Sequence, residues 1–176
     1  DTVFMSQGVP SYGPINPESW AYNPDIAFSY DQEKAAQLLE QAGFKKGSDG
    51  ILEKDGKKFE FEILYLSNDP VRKDIAIAVS SDLENLGIKA SPTGKSSEEM
   101  TTDDWHKVVI RAGGNPMDPD DYNYKEFSSH FIGQGTLNLA SYSNPEADRL
   151  LEEGRTSFDQ DQRKQIYGEL QKILVD

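Results

Sequence analysis

The chain has 176 residues with 31 Asp or Glu against 18 Lys or Arg, a formal net charge of -13. That balance disfavours nucleic-acid backbones and anionic membranes as partners, because both require basic faces. Lack of cysteine removes disulfides, a thiolate nucleophile and cysteine-based metal centres, and no apolar run approaches the ~20 residues that span a bilayer.

The length suits one domain or a large lobe. Asp1 follows no basic and apolar leader, so the sequence reads as mature, trimmed or excised.

Residues 1–30 mix Gly8, Pro10, Gly13, Pro14, Pro17 and Pro24 with Tyr12, Trp20, Tyr22, Phe28 and Tyr30. Such a segment is too proline-rich for regular structure and too aromatic for disorder, so it is expected to lie ordered against a surface. Asp31 then opens a helix with Ala35, Leu38, Leu39 and Ala42 along one face, and Gly43 ends it in a left-handed turn with Phe44 folding back. Residues 50–66 read as a hairpin, because Asp55-Gly56 is a tight-turn pair and Phe59, Phe61, Ile63 and Tyr65 alternate after it.

Pro70 sits in the first turn of a helix capped by Asn68 or Asp69, with Val71, Ile75, Val79, Leu83 and Leu86 as its inner stripe and Gly87 as its stop. Ile88 starts a strand, Ser97 caps a short helix through Glu98, Glu99 and Asp103, and Val108 to Ile110 form another strand. Asn144-Pro145 begins a helix with Leu150 and Leu151 inward, and Asp159 begins a last one with Ile166, Leu170, Ile173 and Leu174. The alternation argues for an α/β layer structure, a mixed sheet flanked by helices. No internal repeat or low-complexity tract interrupts it, so residues 31–176 are expected to form one compact unit. The irregular lead-in and the final helix read as two cut ends of a larger protein.

The most informative stretch is KVVIRAGGNPMDPDD, residues 107–121, where an apolar strand gives way to Gly113 and Gly114, proline turns and a group of acids. In open α/β sheets ligands settle outside the carboxyl ends of strands, and glycine lets backbone approach a guest. A tight polar turn explains the same residues. Arg111 at the strand end could fork onto a ligand carboxylate or pair with a neighbouring acid. Trp20 and Tyr22 could stack on a guest or dock the lead-in.

Asp118, Asp120 and Asp121 lack the glycine and glutamate of a calcium loop, since Asn123 and Ser129 stand there. Asp118, Asp120 and Asp121 could instead cap the next helix. With His106 and His130 as the only histidines and no nucleophile turn, catalytic and metal sites are not expected, nor is a cofactor.

The segments YDQEKAAQLLEQAGF, DGILEKDGKKFEFEIL, PVRKDIAIAVSSDLENLGIKA, DPDDY and YSNPEADRLLEEGRTSFDQDQRKQIYGELQKIL, taken in order, resemble the extracytoplasmic solute-binding proteins of ABC importers, in the oligopeptide, dipeptide and nickel group. The likeness runs from Ser11 to Asp176. It implies a periplasmic-binding-protein-like (type II) fold in which residues 1–30 lie near the hinge, crossing it at Gly8 to Asn23, and 31–176 form the C-terminal lobe, with the N-terminal lobe absent. In peptide-binding members a glycine-tryptophan pair and an aspartate gripping the peptide amino terminus follow this strand. Here Arg111, Ala112 and Asn115 stand in those places, which implies a weaker hold on an ammonium. Nickel-binding members share the spacing of Pro116 and Asp118-Pro119, but their pocket aromatics are replaced by Gly113 and Met117.

The resemblance implies a non-enzymatic, extracytoplasmic and monomeric binding component, periplasmic or lipid-anchored. It would capture an oligopeptide or other small solute between two lobes and deliver it to the permease. Expected ligand contacts are Arg111, Gly113, Gly114, Asn115, Met117 and Asp118, with Trp20 and Tyr22 on the hinge side. The alternatives are a nickel or metal-chelate carrier of the same family and a receptor or interaction module without transport.

Overall fold

A computed structural model describes residues 8–110, Gly113 and 116–176. Contacts divide the chain into two compact units, one spanning the described residues 29–110, the other residues 8–28 and the described part of Gly113–Asp176. The division falls inside the stretch that the sequence reading treats as one unit.

In the first unit, α1 (Gln32–Gln41) starts where Asp31 accepts the Lys34 N–H at 2.8 Å, and it ends at Gly43 with φ 91°. Both termini were legible, but the expected apolar face is not buried, and Leu38 is exposed. Strands β1 (Lys45–Lys46), β2 (Leu52–Lys54) and β3 (Lys57–Lys58) form an antiparallel ribbon turning at Asp55-Gly56, where φ is 52° and 74°. Two positive φ values in succession are what a tight hairpin of this hand requires.

The expected hairpin stops at Lys58. Strand β4 (Glu60–Leu66) leaves it for a second, parallel sheet, ordered β5-β4-β6, with β5 (Lys89–Lys95) and β6 (Val108–Ile110) on its two sides. The run Ile63-Leu64-Tyr65 explains the departure, because all three residues are buried and only a central strand covered on both faces accommodates consecutive apolar side chains. The α/β class is borne out, with antiparallel and parallel pairings divided between the two sheets.

Helix α2 (Pro70–Asn85) links β4 to β5 and is capped by Asp69, which accepts the Arg72 N–H at 2.9 Å. Its inner stripe differs from the expected one: Val71 and Val79 are exposed, Ala76 is buried, and Ser80 Oγ donates to the Ala90 carbonyl. Leu83 of the expected stripe packs against the core of this unit beside Ala76, and Ile75 and Leu86 are half-buried. The helix expected from Ser97 is absent. Thr101 and Asp104 bond each other's backbone N–H groups, which holds residues 103–106 in a 3-10 turn.

The second unit is helical. It comprises α3 (Asp120–Phe127), α4 (Pro145–Thr156) and α5 (Gln160–Val175), the last two capped by Asn144 and Asp159 as the sequence suggests. Its core joins Leu150, Leu151, Ile166, Tyr167 and Leu170 to Ile15 and Ala21 of the lead-in, so the aromatic, proline-rich segment is packed structure. Buried Asn138 donates to the carbonyls of Ser128 and Tyr142 and accepts the Tyr142 N–H, stapling the irregular stretch between α3 and α4. Among the described residues no helix is long and apolar enough to cross a membrane.

Helices α4 and α5 meet where Gly154 faces the ring of Tyr167. A Cβ at Gly154 would lie 2.7 Å from Tyr167 Cζ. Alanine at an unencumbered helix position normally gains up to ~1 kcal/mol over glycine. At this contact overpacking dominates, so Gly154→Ala is expected to destabilise the second unit by about 1–3 kcal/mol, read as a fall in the denaturation midpoint. An unchanged or raised midpoint would contradict the packing described.

Candidate functional site

Parallel pairing of β5, β4 and β6 brings their carboxyl ends to one edge, where β4 ends at Leu66, β5 at Lys95 and β6 at Ile110. In sequence, residues 111–119 follow Ile110. Of the expected contacts, Arg111, Gly114 and Asn115 lie outside the described residues. Gly113, Pro116, Met117 and Asp118 are all exposed.

Gly113 lies against a neighbour, and a Cβ there would run into the Tyr122 hydroxyl. The turn is anchored from the lead-in, where Ser19 Oγ donates to the Met117 carbonyl at 2.6 Å and accepts the Ala21 N–H at 3.3 Å. Asp118 Oδ1 accepts the Asp120 N–H at 2.9 Å, closing the turn into α3. Of the three aspartates expected to cap α3, Asp118 bonds an amide at its start, and the carboxylates of Asp120 and Asp121 face cations. Asp120 reaches Arg155 at 3.5 Å, and Asp121 reaches Lys125 at 2.8 Å.

Asp118 also has a cation. Arg163, from the first half of α5, directs two guanidinium nitrogens at its two carboxylate oxygens at 3.4 and 3.5 Å. The guanidinium is held by Nε donating to the Gly154 carbonyl at 2.9 Å, and it lies over the rings of Trp20 at 5.2 Å and Tyr167 at 5.7 Å. Burial, then the nearby Asp120 charge, pushes the Tyr167 hydroxyl up to about 12, so it stays protonated and donates to Asp120 Oδ1 at 3.4 Å. Arg155 stacks on Tyr124 at 3.8 Å, and Tyr124 bonds Glu152.

These groups border a cleft of ≈ 550 Å³ lined by Trp20, Asp118, Arg163 and the fully exposed Phe158, among others. Trp20, Met117 and Asp118 are thus brought together through Arg163 and Ser19. Tyr22 is not among them, since it lines a second groove with Asn23, Lys164 and Gly168. His130 is exposed and packs edge-on against Phe131 at 5.1 Å, and His106 is exposed in its 3-10 turn.

Sequence reasoning missed Arg155 and Arg163, which read as ordinary helix-surface charges. It also missed Asp104, which precedes β6 and is buried. Asp104 accepts from Lys95 Nζ at 2.8 Å, the Thr101 N–H at 2.9 Å and Lys107 Nζ at 3.0 Å. No periodic pattern marks a buried acid in a turn. Among the described residues no group of three His, Cys, Asp or Glu side chains is placed to hold a metal ion.

The family model for bacterial extracellular solute-binding proteins, family 5 Middle, matches residues 1–134. The chain belongs to that family of solute-binding proteins. Protein XP55 of Streptomyces lividans is 36% identical over 179 residues, which cover 99% of this chain and 32% of that protein.

Among solved structures, the oligopeptide-binding protein AppA from Bacillus subtilis in complex with a nonapeptide superposes with a TM-score of 0.83 at 31% identity, over 99% of this chain and 36% of that one. NikZ from Campylobacter jejuni in complex with Ni(L-His) gives 0.78 at 32% identity, over 89% and 33%. The fold is that of type II periplasmic binding proteins, as the resemblance implied. The chain spans about a third of the length of the relatives it matches.

The Lys95 ammonium, then the Thr101 N–H and Lys107, hold the Asp104 carboxyl well below the usual carboxylate range. A depressed folded-state pKa adds stability that is complete above the unfolded value, about 3.9, and is lost as pH falls through the folded one. Asp104→Asn should therefore lower the melting temperature at pH 7. The gap to the parent should narrow as pH drops below about 4, and a gap constant from pH 7 to pH 2 would contradict the assignment.

Proposed function

We propose that this chain supplies the C-terminal lobe of a two-lobed, extracytoplasmic binding protein, with residues 1–30 near the hinge and 31–176 in the lobe. The whole protein acts as a monomer without catalysis, capturing a short peptide or related small solute and presenting it to the membrane permease of an ABC importer. The observation that carries the reading is the match to a family of extracellular solute-binding proteins over residues 1–134, and the exposure of Gly113, Pro116, Met117 and Asp118 supports it. Arg111, Gly114 and Asn115 join Gly113, Met117 and Asp118 as ligand contacts, with Trp20 and Tyr22 as contacts on the hinge side.

A binding function of this kind works by population shift. A solute that touches both lobes favours the closed form by the difference between its affinities for closed and open states, and the permease responds to that form. One lobe alone offers half of the burial and should bind poorly. The bound nonapeptide in AppA supports a peptide as the cargo, and the Ni(L-His) in NikZ supports a metal chelate as the second candidate. A chelate brings its own ligands, so it does not need a protein-built metal cluster.

The full-length protein is therefore expected to carry a peptide or a metal chelate when released under denaturing conditions and weighed by mass spectrometry. Calorimetry of the emptied protein with the recovered compound should show low-micromolar or tighter binding. Gly113→Val, which drives a side chain at the Tyr122 hydroxyl, should raise that Kd about tenfold, ~1.4 kcal/mol. Recovery of no solute, together with no heat from peptide mixtures or nickel chelates, would overturn the proposal in favour of a docking role.

A further inference from the structure

The ribbon β1–β3 is basic in a chain that is acidic. Residues 44–59 carry Lys45, Lys46, Lys54, Lys57 and Lys58, all exposed, against Asp49, Glu53 and Asp55. The pairing register sorts these charges by face, because directly opposed residues share a face and neighbours along a strand alternate. Lys45 opposes Glu53, Glu53 opposes Lys58, and Lys58 also pairs with Asp49, so one face carries its own counter-charges. The other face holds Lys46 opposite Leu52 and Lys54 opposite Lys57. No carboxylate of the three strands lies on it.

Like charges directly opposite each other weaken a strand pair. Lysines often guard the edges of small sheets against unwanted pairing, but Lys54 belongs to β2, the middle strand, so edge protection does not account for it. Beside this face lies a groove of ≈ 470 Å³ walled by Leu39, Phe44, Lys46, Leu52 and Leu86, with Glu40 as the acid among its lining residues. Helix α1 leaves the groove open, since none of its residues is buried and Leu38 is 54% exposed. Phe44 joins the groove to the charged face: its ring stacks on Phe59 at 4.9 Å and lies under Lys54 Nζ at 5.8 Å.

We propose that the Lys46, Lys54 and Lys57 face of the ribbon, with the groove beside it, is a docking surface for an acidic, apolar segment of a protein partner. Carboxylates of the segment supply the counter-charge that the face lacks, and its apolar side chains fill the groove. A protein segment fits better than an anionic bilayer. A bilayer presents its charge to the whole chain, whose net charge is -13, whereas a short segment meets only the ribbon, because charges beyond ~8–10 Å are screened at physiological ionic strength. Strands β1 and β3 are two residues each, so recognition falls to side chains rather than to an added strand. The inference does not depend on what the solute site carries.

The test uses the full-length protein and two fluorescent probes with blocked ends, one peptide alternating glutamate with leucine and one alternating glutamine with leucine. Anisotropy titration is expected to show the glutamate probe binding about tenfold tighter than the glutamine probe, with the advantage shrinking as salt is raised. Lys57→Glu should abolish that advantage. It should also leave the denaturation midpoint equal or higher, because it places a carboxylate opposite Lys54, whereas a structural role for Lys57 predicts a lower one. Should Lys57→Glu fail to fold, Lys54→Gln/Lys57→Gln decides, and it too should lose the advantage. Equal affinity of the parent for both probes, or an advantage that survives the lysine substitutions, would overturn the proposal. Equal affinity together with retention of the parent, but not of the lysine variants, on phosphatidylglycerol vesicles would overturn it in favour of a bilayer.

Discussion

One buried amide holds the helical unit to its irregular lead-in. Gln171 of α5 has no exposed surface, and its Nε2 donates to the Ala21 and Tyr167 carbonyls, each at 2.9 Å, while its Oε1 accepts the Asn23 N–H at 3.2 Å. Leaving such a group unpaired in the core costs roughly 1–3 kcal/mol, so the lead-in can occupy only the path that satisfies it. Asn23 adds a second tie through its Nδ2 to the Gly168 carbonyl at 3.1 Å. With Ala21 and Asn23 pinned, Ile15 enters the core, Ser19 reaches the Met117 carbonyl, and Trp20 comes under Arg163. The geometry of the acidic turn therefore depends on a hydrogen-bonding group far along the sequence.

The other unit solves a different problem. A strand with three consecutive buried residues must be central, so β4 takes parallel partners on both sides, and the carboxyl ends of the strands are forced to one edge. Asp104 and its two lysines secure the approach to β6. The net charge of -13 is compatible with ordered acids here because those nearest the turn are paired individually. An overall excess of acid says little about the local field at a binding surface.

Helix starts were legible because each depends on a few adjacent residues: Asp31, Asp69, Asn144 and Asp159 all cap as their side chains suggest. The Asp55-Gly56 turn was legible for the same reason. Features set by distant neighbours were not. The stripe of α2 keeps Leu83 on the core but loses Val71 and Val79 to solvent, and β4 abandons the ribbon because of partners that come later in the chain.

At the candidate site the turn and its aromatic neighbour Trp20 could be read from composition, and the family from the ordered segments. The roles of Arg155, Arg163 and Gln171 could not, since a charged or amide residue on a helix has the same local pattern whether it meets solvent, a carboxylate or a buried backbone. Tyr22 shows the reverse limit. It looks equivalent to Trp20 in sequence but lines a separate groove, because the chain bends between them through the hydrogen bond from the Tyr22 N–H to the Ser19 carbonyl at 3.1 Å.

Hydrogen–deuterium exchange across residues 16–24 tests most directly whether this amide holds the lead-in as part of the helical unit. Protection at Asn23 comparable to that of the α5 core is the expected result, with Gln171→Leu releasing 16–24 while α5 stays protected. Free exchange of 16–24 in the unaltered protein would show that Trp20 is not held under Arg163, and the account of the acidic turn would fail with it.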